Sequence, residues 1–315
     1  MLRYLLPLLA ASAVFAAAPV YELSGRIVHP RSRATVSLFG TASPFSASTF
    51  VYPGYSFHFK KLPPGAYTLT VFMRNRGEAR QTVEVGPSTA GRRGRLFLDL
   101  ELKDSDFELS SALRRHTVSA KQLAIPAAAL RDFREAQNDL AKRKVEAAVA
   151  RLEDAVDRAP QFSAAWNNLG TIAYQGANYA RAEECFREAV EQDPQSFEAL
   201  VNLGGVLVTL RKLDEALDRN GQAALLRPND ALAQSQLGMT YFLVGNLELA
   251  KKHLERAREI DPAHFSYPQL ILYRIHLTEG DPVAAADSLD DFLAHHPDWP
   301  EALAARKIIA ELRSR

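Results

Sequence analysis

The sequence predicts a two-domain chain, β then α: an N-terminal antiparallel β-sandwich followed by an α–α superhelix of about five helix pairs. Three observations carry this. Between Tyr21 and Leu102 apolar and polar residues alternate at period two, with turn residues at short intervals. After Pro126, proline, glycine and alanine recur at a fixed step of 34 residues. The 315 residues are 47% apolar and 24% charged, which is the composition of a folded chain long enough for two cores.

Residues 1–18 read as a signal peptide. Arg3 supplies the positive end, and the apolar stretch from Leu5 to Ala18 is too short to span a bilayer comfortably. Val14-Phe15-Ala16 fits a cleavage site, whereas cutting after Ala18 would leave Pro19 as the first mature residue. No cysteine stands nearby to carry a lipid, and no second long apolar run follows. The processed chain is therefore expected to be exported, periplasmic or secreted, and not integral to a membrane. Cys185, the single cysteine, falls in a helix interior and reads as a small buried hydrophobe. Export without an internal disulfide fits a bacterial periplasm or outer surface.

The β domain is placed at residues 19–103. Thr35–Phe39, Tyr67–Phe72 and Arg95–Leu102 each alternate or use β-favouring residues throughout. Lys61-Leu62-Pro63-Pro64-Gly65-Ala66-Tyr67 stops one strand and turns tightly into the next. Together with Ser24-Gly25-Arg26-Ile27-Val28 and Tyr55–Phe59, this junction resembles the carboxypeptidase-regulatory-like domain, a transthyretin-like β-sandwich. Tyr52-Pro53-Gly54-Tyr55 stands where that family has a glycine-rich turn. The resemblance implies a folding or spacer unit beside another domain. Gly91-Arg92-Arg93-Gly94-Arg95 reads as a solvated tip. Residues 104–126 form a connector, acidic at first and basic at Arg114-Arg115, with a short strand expected at His116–Ser119.

The repeat occupies residues 127–299. Pro160, Pro194, Pro228 and Pro262 are spaced by 34, and Pro297 follows at 35. Three further prolines at preset positions arise by chance about once in 10⁴ at average usage. Ala148, Ala182, Ala216 and Ala250 keep the step, as do Ala155, Ala189, Ala223 and Ala257, and Gly170, Gly204 and Gly238. Each unit holds two antiparallel helices: the small residues let partners approach, larger ones such as Trp166, Phe186, Tyr241 and Leu254 fill the gaps, and proline ends the second helix. Units are expected at 129–162, 163–196, 197–230, 231–264 and 266–299, with residues 300–315 as a capping helix. In unit two, Trp166, Leu169, Gly170, Ala182, Phe186, Ala189 and Pro194 match the pattern of the tetratricopeptide repeat, which the whole array resembles. The outer units depart from it, with Ala136 and Tyr273 in place of glycine, as terminal repeats do.

No catalytic triad, phosphate loop or metal-ligand spacing is present in the sequence, so no enzymatic activity, cofactor or metal is expected. His295-His296 point apart on a helix, and Glu183-Glu184 and Asp287, Asp290 and Asp291 read as solvated faces. The resemblance implies a concave groove lined by first helices that binds a protein or peptide. Projected onto this sequence, it gives Phe133, Gln137, Asn167, Thr171, Tyr174, Asn202, Val208, Ser235, Met239 and Phe242. A carboxylate clamp is rejected: Asn168 and Asn202 fit its amide positions, but Phe133, Glu198 and Leu232 replace the basic residues it needs.

Net charge is +1 overall but +7 over residues 19–103 and −7 over 104–315, which gives no bias toward nucleic acid. The two halves are expected to attract each other or simply to differ in charge. The first expectation for function is an exported, non-enzymatic adaptor. The alternative is an envelope polysaccharide or anionic-polymer binding module, acting through the basic sandwich with the repeats as scaffold.

Overall fold

The computed structural model describes residues 19–28, 33–52, 54, 56–74, 76–108 and 124–314. The signal peptide, Pro53 and Tyr55 of the proposed glycine-rich turn, and most of the connector, including the strand expected at His116–Ser119, lie outside the described residues.

Among the described residues seven strands build the first domain: β1 (Tyr21–Ile27), β2 (Ala34–Gly40), β3 (Ser46–Val51), β4 (Ser56–Leu62), β5 (Gly65–Met73), β6 (Gly77–Val85) and β7 (Arg95–Leu100). They form a three-stranded sheet, β4-β1-β7, and a four-stranded sheet, β3-β2-β5-β6. The Pro63-Pro64-Gly65 junction carries the chain from one sheet to the other, with Gly65 at φ +145° where a side chain is disfavoured. Alternation then decides the inner faces: Leu23, Val36, Leu38, Phe57, Leu69, Val71 and Val85 are buried in one shared core. One pairing departs from an all-antiparallel sandwich. β7 runs parallel to β1, on the side opposite β4.

Eleven α-helices follow among the described residues: α1 (Ala127–Ala141), α2 (Val145–Arg158), α3 (Ser163–Gln175), α4 (Tyr179–Gln192), α5 (Phe197–Thr209), α6 (Leu213–Leu226), α7 (Ala231–Leu243), α8 (Leu247–Ile260), α9 (Pro268–Glu279), α10 (Pro282–His295) and α11 (Ala302–Arg313). They pack as five antiparallel pairs plus a terminal helix. Three of the second-helix starts are capped by side chains: Asn178, Asn246 and Asp281 each accept a hydrogen bond from a backbone N–H of the first turn. The residue just before those caps is left-handed in every pair, at Arg143, Ala177, Arg211, Gly245 and Gly280.

Nesting within a pair depends on one contact. A side chain added at Gly170 would lie 2.6 Å from the Phe186 ring, and one at Gly238 would lie 2.7 Å from Leu254. Phe186 and Leu254 are buried, whereas Trp166 and Tyr241 are half-buried. Trp166 is thus less a core filler than expected; its indole N–H donates to the Pro160 carbonyl at 2.9 Å and ties the helix to the preceding turn. Between Phe186 and Leu254 the same column holds Asn220, fully buried against Gly204. Its Nδ2 donates to Thr240 Oγ1 at 2.9 Å, but its Oδ1 has no hydrogen-bond partner.

This column sets three expectations for stability. Phe186→Ala is expected to lower unfolding free energy by about 3–5 kcal/mol through a core cavity, and Gly170→Ala by about 1–3 kcal/mol through overpacking, both read from urea titrations. Asn220→Leu is expected to raise it by about 1 kcal/mol by removing an unpaired buried carbonyl.

Candidate protein-binding groove and the domain junction

The first helices of the pairs, α1, α3, α5, α7 and α9, stand side by side. On them Gln137 and Tyr174 are exposed, while Phe133, Asn167, Thr171, Asn202, Val208, Met239 and Phe242 are half-buried. Asn202 Nδ2 donates to Asn167 Oδ1 at 3.0 Å, joining α5 to α3 by an amide pair. The Tyr174 hydroxyl lies 3.3 Å from Thr209 Oγ1, which joins the same helices one turn further along. Thr171 Oγ1 donates to the Asn167 carbonyl. Three of the projected residues serve packing instead. Ser235 is 2% exposed and accepts from Ser266 Oγ at 2.7 Å. Phe133 packs on Phe162 with ring centroids 4.9 Å apart, and Val208 joins the cluster around Leu207. Arg274 sits over the Phe242 ring at 5.0 Å.

A second feature was not anticipated from the sequence. The even-numbered residues of β6 face the turns between repeat units, one after another. Arg80 Nη2 bonds Glu198 at 2.7 Å and Nη1 lies 3.7 Å from Asp230. The Thr82 N–H donates to Asp261 at 2.8 Å, Glu84 lies 3.1 Å from His296 Nδ1, and just beyond the strand the Ser88 N–H donates to Asp298 at 3.0 Å. Arg227 closes the first of these contacts, 3.0 Å from Glu198 and 3.6 Å from Glu78. Arg227, Asp261 and His296 each directly precede a repeat proline, so the column that ends the second helices also meets the strand. The spacing along β6 is two residues per turn contacted, which is the strand's own period.

These contacts cover an edge strand. β6 terminates its sheet, and on its outer edge the Glu78 backbone pairs with Glu108 in both directions at 2.8 Å while the Thr82 N–H donates to Asp261. At Glu198 burial opposes ionisation, but the Arg80 and Arg227 charges outweigh it and hold the carboxyl below its ordinary range. The expected attraction of a basic for an acidic half is thus visible at Arg80, although Glu78 and Glu84 point the other way. At the opposite helix ends, Gln175 Nε2 donates to the Gly40 carbonyl at 3.0 Å and Arg143 Nη2 to the Lys61 carbonyl at 3.3 Å. Cys185 is buried, and burial pushes its thiol up, which leaves it an unreactive core residue.

Paired helices with small residues at each crossing, stacked so that first helices share one face, define an α–α superhelix of helical repeats. Residues 133–197, 172–231 and 231–264 match the tetratricopeptide repeat, so the helix pairs over 133–264 are similar to that repeat. Over 188 residues the chain is 31% identical to Cellulose synthase operon protein C of Xanthomonas axonopodis pv. citri (strain 306), covering 56% of this chain and 12% of that protein. Over 112 residues it is 32% identical to the Cell division cycle protein 16 homolog of Homo sapiens, covering 33% of this chain and 18% of that protein. Both matches take in less than a fifth of the relative's length. The solved structure of PilW, described as a type IV pilus biogenesis factor, superposes with a TM-score of 0.50 at 20% identity, over 60% of this chain and 92% of PilW. YrrB, a tetratricopeptide repeat protein, gives 0.48 at 24% identity over 60% of this chain and 98% of YrrB. These likenesses concern the fold of the array.

His264 sits beneath the junction, 5% exposed, where its Nδ1 accepts the Ser266 N–H at 3.2 Å. An imidazole held as an acceptor must stay neutral. Burial lowers its pKa to about 4, with His296 adding to the shift and Asp261 opposing it. Below the ordinary value near 6.5 the unfolded chain takes up a proton that the folded chain refuses. Stability is therefore complete above that value and falls as pH drops toward 4, by about 3 kcal/mol at about 1.4 kcal/mol per unit. His264→Gln is expected to flatten this part of the profile in denaturant titrations between pH 7 and 4; an unchanged slope would assign the acid sensitivity to other groups.

Proposed function

We propose that this chain is an exported adaptor of the cell envelope, whose repeat array binds a peptide or protein partner on the side formed by its first helices. One observation carries the reading: Asn167, Asn202 and Tyr174 form a row of amide and aromatic groups across neighbouring helices, with the Tyr174 ring exposed and the two amides half-buried. Amides of this kind hold an extended backbone, and an exposed ring anchors a side chain. Arrays of this repeat mediate protein–protein interactions as scaffolds.

The β domain is read as a carboxypeptidase-regulatory-like sandwich that acts as a spacer. Its two-sheet architecture and the sheet-crossing turn at Pro63-Pro64-Gly65 support this. Its positive charge does not call for a polymer ligand. Arg26 pairs with Asp99, Arg76 with Asp104, Arg95 with Glu22, and Arg80 with carboxylates of both halves. No helix among the described residues is long and apolar enough to cross a membrane.

Export is tested by fractionating producing cells and sequencing the mature N-terminus, expected at Ala17; an unprocessed chain in the cytoplasm would remove the envelope role. Binding is tested with a displayed library of random peptides selected on the full chain. The paired change Tyr174→Ala with Asn202→Ala is expected to weaken selected peptides by about tenfold or more with an unchanged urea midpoint. Peptides that bind the double variant equally well would place the site elsewhere.

A further inference from the structure

We propose that the β-sandwich gates the array: docked, it stands across the first-helix side, and a partner of that side binds only when the contacts along β6 release. This rests on the groove reading above and adds its regulation.

The geometry begins with where the sandwich touches the helices. It meets the N-terminal ends of α5 and α7 through Glu198 and Asp230, and the C-terminal end of α3 through Gln175. It also meets the turn after α1 through Arg143 and packs β3 against α1 itself. A body that reaches opposite ends of neighbouring first helices lies diagonally over the face between them. That face carries Asn167, Tyr174 and Asn202.

The chemistry of the junction is that of a releasable contact. Every buried apolar cluster among the described residues lies wholly within one half: one in the sandwich and five in the array. What joins the halves is hydrogen bonds, ion pairs and arginines over rings, Arg143 on Phe45 and Arg80 on Phe197. A junction without a shared apolar core separates without exposing one, and domains joined in this way move relative to each other. The docked state is nonetheless specific, because four successive inter-unit turns are read by one strand and its following loop. Gly86 is part of that fit. A side chain there would come within 2.4 Å of Asp298 Oδ2, so its absence admits the carboxylate that holds Ser88. Closed fraction and partner affinity are then linked: apparent affinity falls by the fraction of molecules that are open.

The same spot provides the test. A Cβ on Gly86 would lie 3.9 Å from the Asp298 Cβ, within disulfide range. Gly86→Cys with Asp298→Cys, in a Cys185→Ala background, locks the gate when oxidised and frees it when reduced. Peptides from the displayed random library are selected on the reduced full chain and measured on both forms, with hydrogen exchange locating their footprint. The expected result is at least about tenfold weaker binding on oxidation, reversed by reductant, with a footprint on α3 and α5. In the same background, Arg80→Ala with Asp261→Asn, with glycine and aspartate restored at 86 and 298, is expected to bind the peptides at least as tightly as the reduced form. Failure of the disulfide to form would show that the sandwich does not dock this way. Equal affinity in both forms with a footprint on α3 and α5 overturns the gate and leaves the groove reading intact. A footprint elsewhere, or no selectable peptide, overturns the groove reading and the gate with it.

Discussion

The array depends on one steric constraint: where the two helices of a pair cross, one of them must carry almost no side chain. Gly170 beneath Phe186 and Gly238 beneath Leu254 show it directly, since a single added carbon would sit well inside van der Waals contact. Everything further along the chain builds on that crossing. It fixes the distance within a pair, the distance fixes the tilt, and repetition of the tilt produces the curved stack with first helices on one side.

Repetition also produces a regular rim. Because units recur every 34 residues, the turns that end at each proline present their preceding residues in a row. Arg227, Asp261 and His296 occupy that row, and β6 lies along it with the period of a strand. The edge strand gains partners for its backbone, and the array gains a second domain fixed in register. Two different periodicities meet here, and polar side chains of variable reach take up the mismatch between them.

Asn220 and His264 show where local rules give way. The first places an amide in a column otherwise filled by Phe186 and Leu254, with one oxygen unpaired. The second keeps an imidazole neutral by burial so that it can accept a backbone N–H. Asn220 stands 34 residues from both Phe186 and Leu254, so spacing assigns it to the buried column although its side chain is polar, and His264 lies in the turn that β6 contacts through Asp261.

The repeat and its phase were legible because small residues at fixed intervals have one physical use, close helix contact. The sandwich was legible from alternation, and its sheet-changing turn from two prolines and a glycine. The parallel placement of β7 was not, since period two decides which face a residue takes and not which neighbour its strand finds. Nor was the burial of Ser235, which depends on the reach of Ser266 from the next unit. The sequence by itself determined the two architectures, because both follow from local periodicity. Only the tertiary structure decided how the halves meet. Arg80 and Glu198 lie 118 residues apart, and no pattern along a chain records which distant charges will face each other once both domains have folded.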